Sequence, residues 1–177
     1  MNMNRKGLLI VYTGDGKGKT SAALGMALRA AGQGMNVFIL QFMKCRQMIG
    51  EFKALEQTTL PITIEQYGRR VFFRTRTCEV MDIHKAHQGL KAFKRAMEGN
   101  AYDLIILDEI NMAIHFGLLS VEEVIEAIEQ KPPELFLVLT GRNADQKLIE
   151  MADLVTEMCE IKHHYHQGVH AQKGIEF

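Results

Sequence analysis

Short aliphatic runs alternate along the chain with longer amphipathic stretches. Leu8 to Thr13 and Val37 to Phe42 read as strands. Thr20 to Ala31, between them, reads as a helix whose small and apolar positions are spaced for packing. Gly32 and Gly34 supply a helix stop and a turn. Ile62 to Tyr67, after Pro61, predicts a third strand, and His84 to Glu98 a helix with lysines and arginines on its solvated face. Leu104 to Leu107, in the run YDLIILDE, is nearly all aliphatic, as parallel strands covered on both faces are. Ser120 and Glu123 form a capping-box pattern opening a helix that reaches about Gln130. Pro132 and Pro133 break that helix before a strand from Leu135 to Leu139. A helix from Ala144 to Ala152 and a strand from Leu154 to Ile161 complete the series.

Strands alternating with helices imply a parallel sheet joined by right-handed crossovers. The expectation is an α/β protein: one three-layer domain over residues 1–177, mostly parallel, with helices on both faces and a P-loop nucleotide-binding fold. No repeat, low-complexity tract or linker interrupts it. The least regular part, Cys45 to Thr77, is a candidate substrate loop.

Composition narrows the partners. Hydrophobic residues make up 47% of 177 positions, enough for a substantial core and too many for a disordered chain. Lys plus Arg equals Asp plus Glu at 21 each, so no global field draws nucleic acid or an anionic membrane, and neither is expected as a partner. Cys45, Cys78 and Cys159 are widely spaced and odd in number, which predicts neither a disulfide framework nor a paired metal site. The first apolar run is too short to span a bilayer and carries no secretory cleavage pattern, so a cytoplasmic location is expected.

The segment LLIVYTGDGKGKTSAALG sets a strand, a glycine-rich turn and a helix start in succession. A triphosphate needs this order: glycines let the backbone curl so that consecutive N–H groups point inward, and the helix N-terminus adds partial positive charge. The loop comprises Gly14, Asp15, Gly16, Lys17 and Gly18, followed by Lys19, Thr20 and Ser21. Lys19 would bridge phosphate oxygens, and the Thr20 hydroxyl would help hold Mg²⁺ or Mn²⁺. The strict loop pattern has glycine where this chain has Thr13. Asp108 and Glu109, at the end of the buried LIIL run, are placed at the carboxyl edge of the sheet, where α/β proteins bind ligands. One carboxylate would meet the metal directly and the other through water.

A triphosphate site does not by itself name a reaction. Hydrolysis or phosphoryl transfer would put the γ-phosphate at the reacting centre, with a water-positioning residue and often an arginine finger. Only Glu109 is a candidate for such work. On the residues alone, a small P-loop ATPase or kinase stays open, and so does a nucleotide-dependent regulatory or nucleic-acid-binding module. The run Arg69, Arg70, Arg74 and Arg76 suits nucleic-acid phosphates, the polar fringe of a large cofactor, or a plain solvated loop. His163, His164, His166 and His170 match no standard zinc spacing.

Three stretches together resemble the P-loop corrinoid adenosyltransferases of the cobalamin pathway. They are TGDGKGKTSAALGMALRAAGQG, then LIILDEI, then LTGRNADQKLIEMADLVTEM with KHHYHQGVHAQKGIEF. That family has a TGxGKGKT loop, an LDE strand end, a TGR turn and a terminal KHxxxxGVxAQxGI segment in this order, so Thr13 is the family form. The resemblance covers nearly the whole chain, and the last motif is the specific one. It implies transfer of the 5′-deoxyadenosyl group from ATP to Co(I) of a corrinoid with release of triphosphate, in adenosylcobalamin synthesis or salvage. The nucleophile is then the cobalt, and the protein aligns it with the ribose C5′ and stabilises the leaving group.

By resemblance, ATP lies in the reverse sense to most P-loop proteins. Lys17 and Lys19 contact phosphates, Thr20 and Glu109 hold Mg²⁺ with Asp108 nearby, Arg29 lies near the nucleotide, and Arg142 of the TGR turn contacts ATP. Phe72 and Phe73 are the corrinoid contacts that displace the lower axial ligand of cobalt, although this chain has no Trp, which some relatives use there. Lys162 and His163 shape the pocket. A homodimer is implied, with a reductant protein such as a flavoprotein as a partner.

Overall fold

The structure is a computed structural model that describes residues 5–45, 50–69 and 79–176. Its strands are β1 (Leu9–Thr13), β2 (Val37–Phe42), β3 (Ile62–Tyr67), β4 (Leu104–Asp108), β5 (Phe136–Thr140) and β6 (Leu154–Glu157). They form one sheet in the order β3-β2-β4-β5-β1-β6, and every pairing is parallel. The helices are α1 (Lys19–Gly32), α2 (Gly50–Glu56), α3 (Val80–Glu98), α4 (Ile110–His115), α5 (Val121–Glu129) and α6 (Gln146–Met151).

Successive strand residues point to opposite faces, and the aliphatic runs exploit both. Leu9, Val11, Leu40, Ile105, Leu107 and Leu139 pack with Leu90 and Phe93 of α3, Ala113 of α4, Val124 of α5 and Leu148 of α6. Ile10, Ile39, Leu104, Ile106 and Val138 face the other way, onto Ala23, Ala27, Ala30 and Ala31 of α1. The alanine face of α1 lets its backbone sit close to the sheet, so the helix that carries the phosphate loop is held firmly. β4 is the shared centre: Leu104 to Leu107 are at most 1% exposed, and truncating any one of them would cost about 2–5 kcal/mol. The expected three-layer parallel architecture is the one observed.

Four elements differ from the expectations. α3 begins at Val80 rather than His84, because Glu79 and Asp82 form a reciprocal capping box in place of the usual Ser or Thr. β6 ends at Glu157, short of Ile161; the chain beyond it turns over the phosphate loop, where Met158 O accepts from Gly16 N at 2.6 Å. α2 lies inside the stretch expected to be irregular, and α4 follows directly on Glu109. The capping box at Ser120 is present as expected. Among the described residues, no helix is long and apolar enough to cross a membrane.

Candidate functional site

At the carboxyl ends of β1, β2, β4 and β5, the phosphate loop, Asp108 and Glu109 come together. Gly14 and Gly18 have φ of 90° and 112°, in the left-handed region open to glycine. A Cβ at Gly16 would stand 2.6 Å from Cys159 O, so the close crossing of the post-β6 segment demands glycine there too. Gly18 caps α1 with no side-chain acceptor for the first-turn N–H groups. An uncapped helix N-terminus that faces a cleft is suited to an anion.

Lys19 is 8% exposed, and its Nζ donates to Gly14 O at 2.5 Å and Gly16 O at 2.7 Å. The loop's own carbonyls thus hold the ammonium where phosphate oxygens can replace them. Burial, with Arg142 as a second cause, pulls its pKa below the ordinary lysine value; Glu109 and Asp15 oppose this. An anionic ligand relieves the same strain on the charge.

Thr20 Oγ1 donates to Asp108 Oδ1 at 2.8 Å, and Thr140 Oγ1 donates to the same oxygen at 2.7 Å. Asp108 Oδ2 accepts from Lys44 Nζ at 2.7 Å and Gln41 Nε2 at 3.0 Å. Both oxygens of this 1%-exposed carboxylate therefore carry two donors each. Burial opposes its charge, but Lys44 and the Thr140 and Thr20 hydroxyls outweigh burial and hold its pKa below the usual aspartate value. Asp108, expected with Thr20 and Glu109 as a metal ligand, is hydrogen-bonded here to Thr20, Thr140, Lys44 and Gln41.

Glu109 sits at φ 63°, and its N–H donates to Thr140 Oγ1 at 2.9 Å. Burial, and then the adjacent Asp108, raise its pKa above the ordinary glutamate value. It lines an open cleft of about 410 Å³ together with Gly16, Lys17, Gly18, Lys19, Thr20 and Ser21. Arg142, following Gly141 at the end of β5, closes another side, with Nε 4.0 Å from Asp15 Oδ1. Thr20 and Glu109 are hard oxygen donors on that cleft, a set that fits Mg²⁺ or Mn²⁺ completed by phosphate oxygens and water. Among the described residues, no three His, Cys, Asp or Glu side chains form a metal cage.

Not every predicted residue gathers there. Arg29 is exposed in the last turn of α1, ten residues beyond Lys19 and about 15 Å along the helix axis, so it does not line the phosphate cleft. Phe72, Phe73, Arg70, Arg74, Arg76 and Cys78 lie outside the described residues. Arg69 is held by carboxylates: Nε donates to Asp82 Oδ1 and Nη2 to Asp82 Oδ2, both at 2.6 Å, and Nη1 to Glu79 Oε2 at 2.7 Å. Lys162 is exposed, and His163 stacks on His164 at 4.6 Å without lining the cleft.

The tail enters the site through Ile175 and Glu176 instead. Glu176 Oε1 accepts from Lys17 Nζ at 2.6 Å and lies 3.3 Å from His164 Nε2. Lys44, Gln41, Glu51 and Thr140 are further site residues that motif reading missed. Thr140 was accessible as the first residue of the TGR turn. A lysine two places past a strand end carries no spacing signal at all.

A family model described as ATP:corrinoid adenosyltransferase BtuR/CobO/CobP matches residues 5–177. The protein named corrinoid adenosyltransferase of Pseudomonas aeruginosa is 36% identical over 174 residues, covering 98% of this chain and 85% of its own length. One of the same name from Sinorhizobium sp is 38% identical over 176 residues, 98% of this chain and 82% of the relative. Corrinoid adenosyltransferase CobA of Salmonella typhimurium is 34% identical over 172 residues, 97% and 86%. A phosphate loop on a parallel sheet is common to many nucleotide-binding proteins, but a match running from the first strand through the tail is not: this chain belongs to the ATP:corrinoid adenosyltransferase BtuR/CobO/CobP family.

Proposed function

We propose that this protein transfers the 5′-deoxyadenosyl group of ATP to the cobalt of a corrinoid, in adenosylcobalamin synthesis or salvage. Family membership over nearly the whole chain supports the reading, and the cleft supplies its chemistry. Co(I) donates an electron pair to the ribose C5′; the C5′–O bond breaks, and the pair on that oxygen leaves with triphosphate. The protein's part is to fix the approach and to receive a leaving group of high negative charge. Lys19, Lys17 and Arg142 around the uncapped N-terminus of α1 meet that need. Thr20 and Glu109 are the residues that would hold Mg²⁺, which would neutralise further charge on the phosphates. Phe72 and Phe73 are proposed corrinoid contacts. A homodimer and an electron-donating partner such as a flavoprotein belong to the same proposal.

The test is direct. With ATP, Mg²⁺, a strong chemical reductant and cob(II)alamin, the protein should yield a light-sensitive adenosylcobalamin spectrum and one triphosphate per alkylated corrinoid. ADP or orthophosphate without alkylated corrinoid would instead mark an ATPase or kinase.

A further inference from the structure

Lys44 stands against Thr20 and Asp108 without belonging to any phosphate-binding motif. β2 ends at Phe42, and Met43 takes φ 59°, which turns the chain before it can leave the sheet edge. Met43 N donates to Tyr67 O at 3.1 Å, and a Cβ on Gly68 would meet Lys44 N at 2.5 Å, so the end of β3 presses on this turn. The backbone is thus built to deliver Lys44 to one point. There Nζ lies 2.7 Å from Asp108 Oδ2, 3.4 Å from Thr20 Oγ1 and 3.6 Å from Glu51 Oε1. Gln41 Nε2 reaches the same Glu51 oxygen at 3.2 Å.

Without that ammonium, Asp108 Oδ2, Glu51 Oε1 and the Thr20 hydroxyl, all within 3.6 Å of Nζ, would leave three hard oxygens around one vacated point. Two carboxylates and a hydroxyl are donors of the kind that a hard divalent ion favours. With the ammonium, a fixed positive charge stands beside Thr20, and a dication placed there meets repulsion at short range in a partly buried setting.

We propose that Lys44 is the resident cation of the Thr20–Asp108 pair, a positioning residue that keeps free Mg²⁺ out of the site and so makes the metal enter with ATP. The triphosphate brings enough negative charge to admit the dication alongside the ammonium, and Glu51 is the carboxylate toward which the ammonium can shift. The metal then arrives already joined to the leaving group, and the empty site is not closed by a tightly held ion. This rests on the reading of Thr20 and Glu109 as ligands of the nucleotide's metal.

Electron paramagnetic resonance of Mn²⁺ tests it without turnover. Wild-type protein should bind Mn²⁺ tightly with ATP and only weakly without it. Lys44→Met should bind free Mn²⁺ at least about tenfold more tightly than wild type, whereas Lys44→Arg, which keeps the charge, should not. Lys44→Gln, which can still donate to Asp108, should behave as Lys44→Met does, separating charge from hydrogen bonding. If the neutral variants are unstable, millimolar Mn²⁺ should raise their thermal midpoint more than it raises that of the wild type, because the ion replaces the lost charge. Neutral variants that gain neither affinity nor Mn²⁺-dependent stability overturn the proposal while leaving the metal site standing. Failure of the wild type to bind Mn²⁺ even with ATP overturns the metal site itself, and this role of Lys44 with it.

Discussion

Thr20 Oγ1 donates to Asp108 Oδ1 at 2.8 Å, joining the first turn of α1 to the last residue of β4 across 88 positions of sequence. The bond sets the mouth of the phosphate cleft. It places a hydroxyl from the loop's helix against a buried carboxylate whose other oxygen is held by Lys44 and Gln41. Loop and strand end therefore cannot move independently, and four expectations for variants follow from that coupling and its surroundings.

Lys19→Ala should lose transfer and keep its fold. Among the described residues, the Lys19 ammonium bonds the carbonyls of Gly14 and Gly16 alone, so little of the core depends on it. A donor aimed at developing charge is worth about 10²–10³ in rate, and kcat/KM for ATP should fall by about that factor. Steady-state transfer with a parallel thermal melt is the check. Near-normal turnover at saturating ATP would remove Lys19 from the phosphate site.

Asp108→Ala should be among the most damaging single changes. It would take from the Lys44 ammonium, itself only 20% exposed, its partner at 2.7 Å and leave it Glu51 at 3.6 Å, and cost up to about 3–5 kcal/mol, as breaking a buried ion pair does. Adding Lys44→Met should restore part of the loss, since the two residues share one interaction and their effects do not add. Denaturant unfolding of the single and double variants measures the coupling; additive losses would mean that the pair is not a unit.

Gly16→Ala and Gly25→Ala should differ in sign. A Cβ at Gly16 would collide with Cys159 O at 2.6 Å and Met158 O at 2.7 Å, both backbone atoms. Overpacking of that kind costs about 1–3 kcal/mol, and ATP affinity should fall as the crossing segment lifts from the loop. Gly25 lies in the body of α1 with nothing within 4 Å of the added carbon. Alanine there should stabilise by about 0.4–1 kcal/mol by restricting the unfolded chain. Unfolding midpoints and nucleotide titrations of the pair distinguish the two effects.

Acid should erase what Asp82 contributes. The Arg69 fork lowers its pKa below the ordinary 3.8, assisted by the Glu79 N–H and opposed by burial. A carboxylate depressed in the folded state stabilises fully above its unfolded pKa and loses that contribution as pH falls through the folded one. The stability gap between wild type and Asp82→Asn should therefore be constant from neutral pH to about 5 and narrow toward pH 3. A gap independent of pH over that range would show that the Asp82 charge does not matter to the capping of α3.

The extent of the fold was largely legible in local pattern. Runs such as LIIL read as strands covered on both faces, and the glycine loop before α1 read out its own backbone shape. Boundaries were lost where a distant partner decided them. α3 starts early because Arg69 completes a cap made of two acids, and β6 stops early because Gly16 claims the carbonyl of Met158. The site divided the same way. Lys19, Thr20 and Glu109 stood out because a phosphate loop and an acidic strand end are contiguous motifs, whereas Arg29, close in sequence, was carried away from the phosphate cleft by the rise of its own helix.

Hydrophobic periodicity and the loop motif were thus sufficient for a parallel α/β sheet with a glycine-rich loop and an acidic strand end at its carboxyl edge, because both are properties of neighbouring residues. Lys44 against Asp108, Glu176 against Lys17 and the four donors on one buried carboxylate are not such properties. Strand order puts β2 beside β4 and registers Gln41 with Asp108, and only that long-range pairing decides which side chain becomes the counter-charge of which.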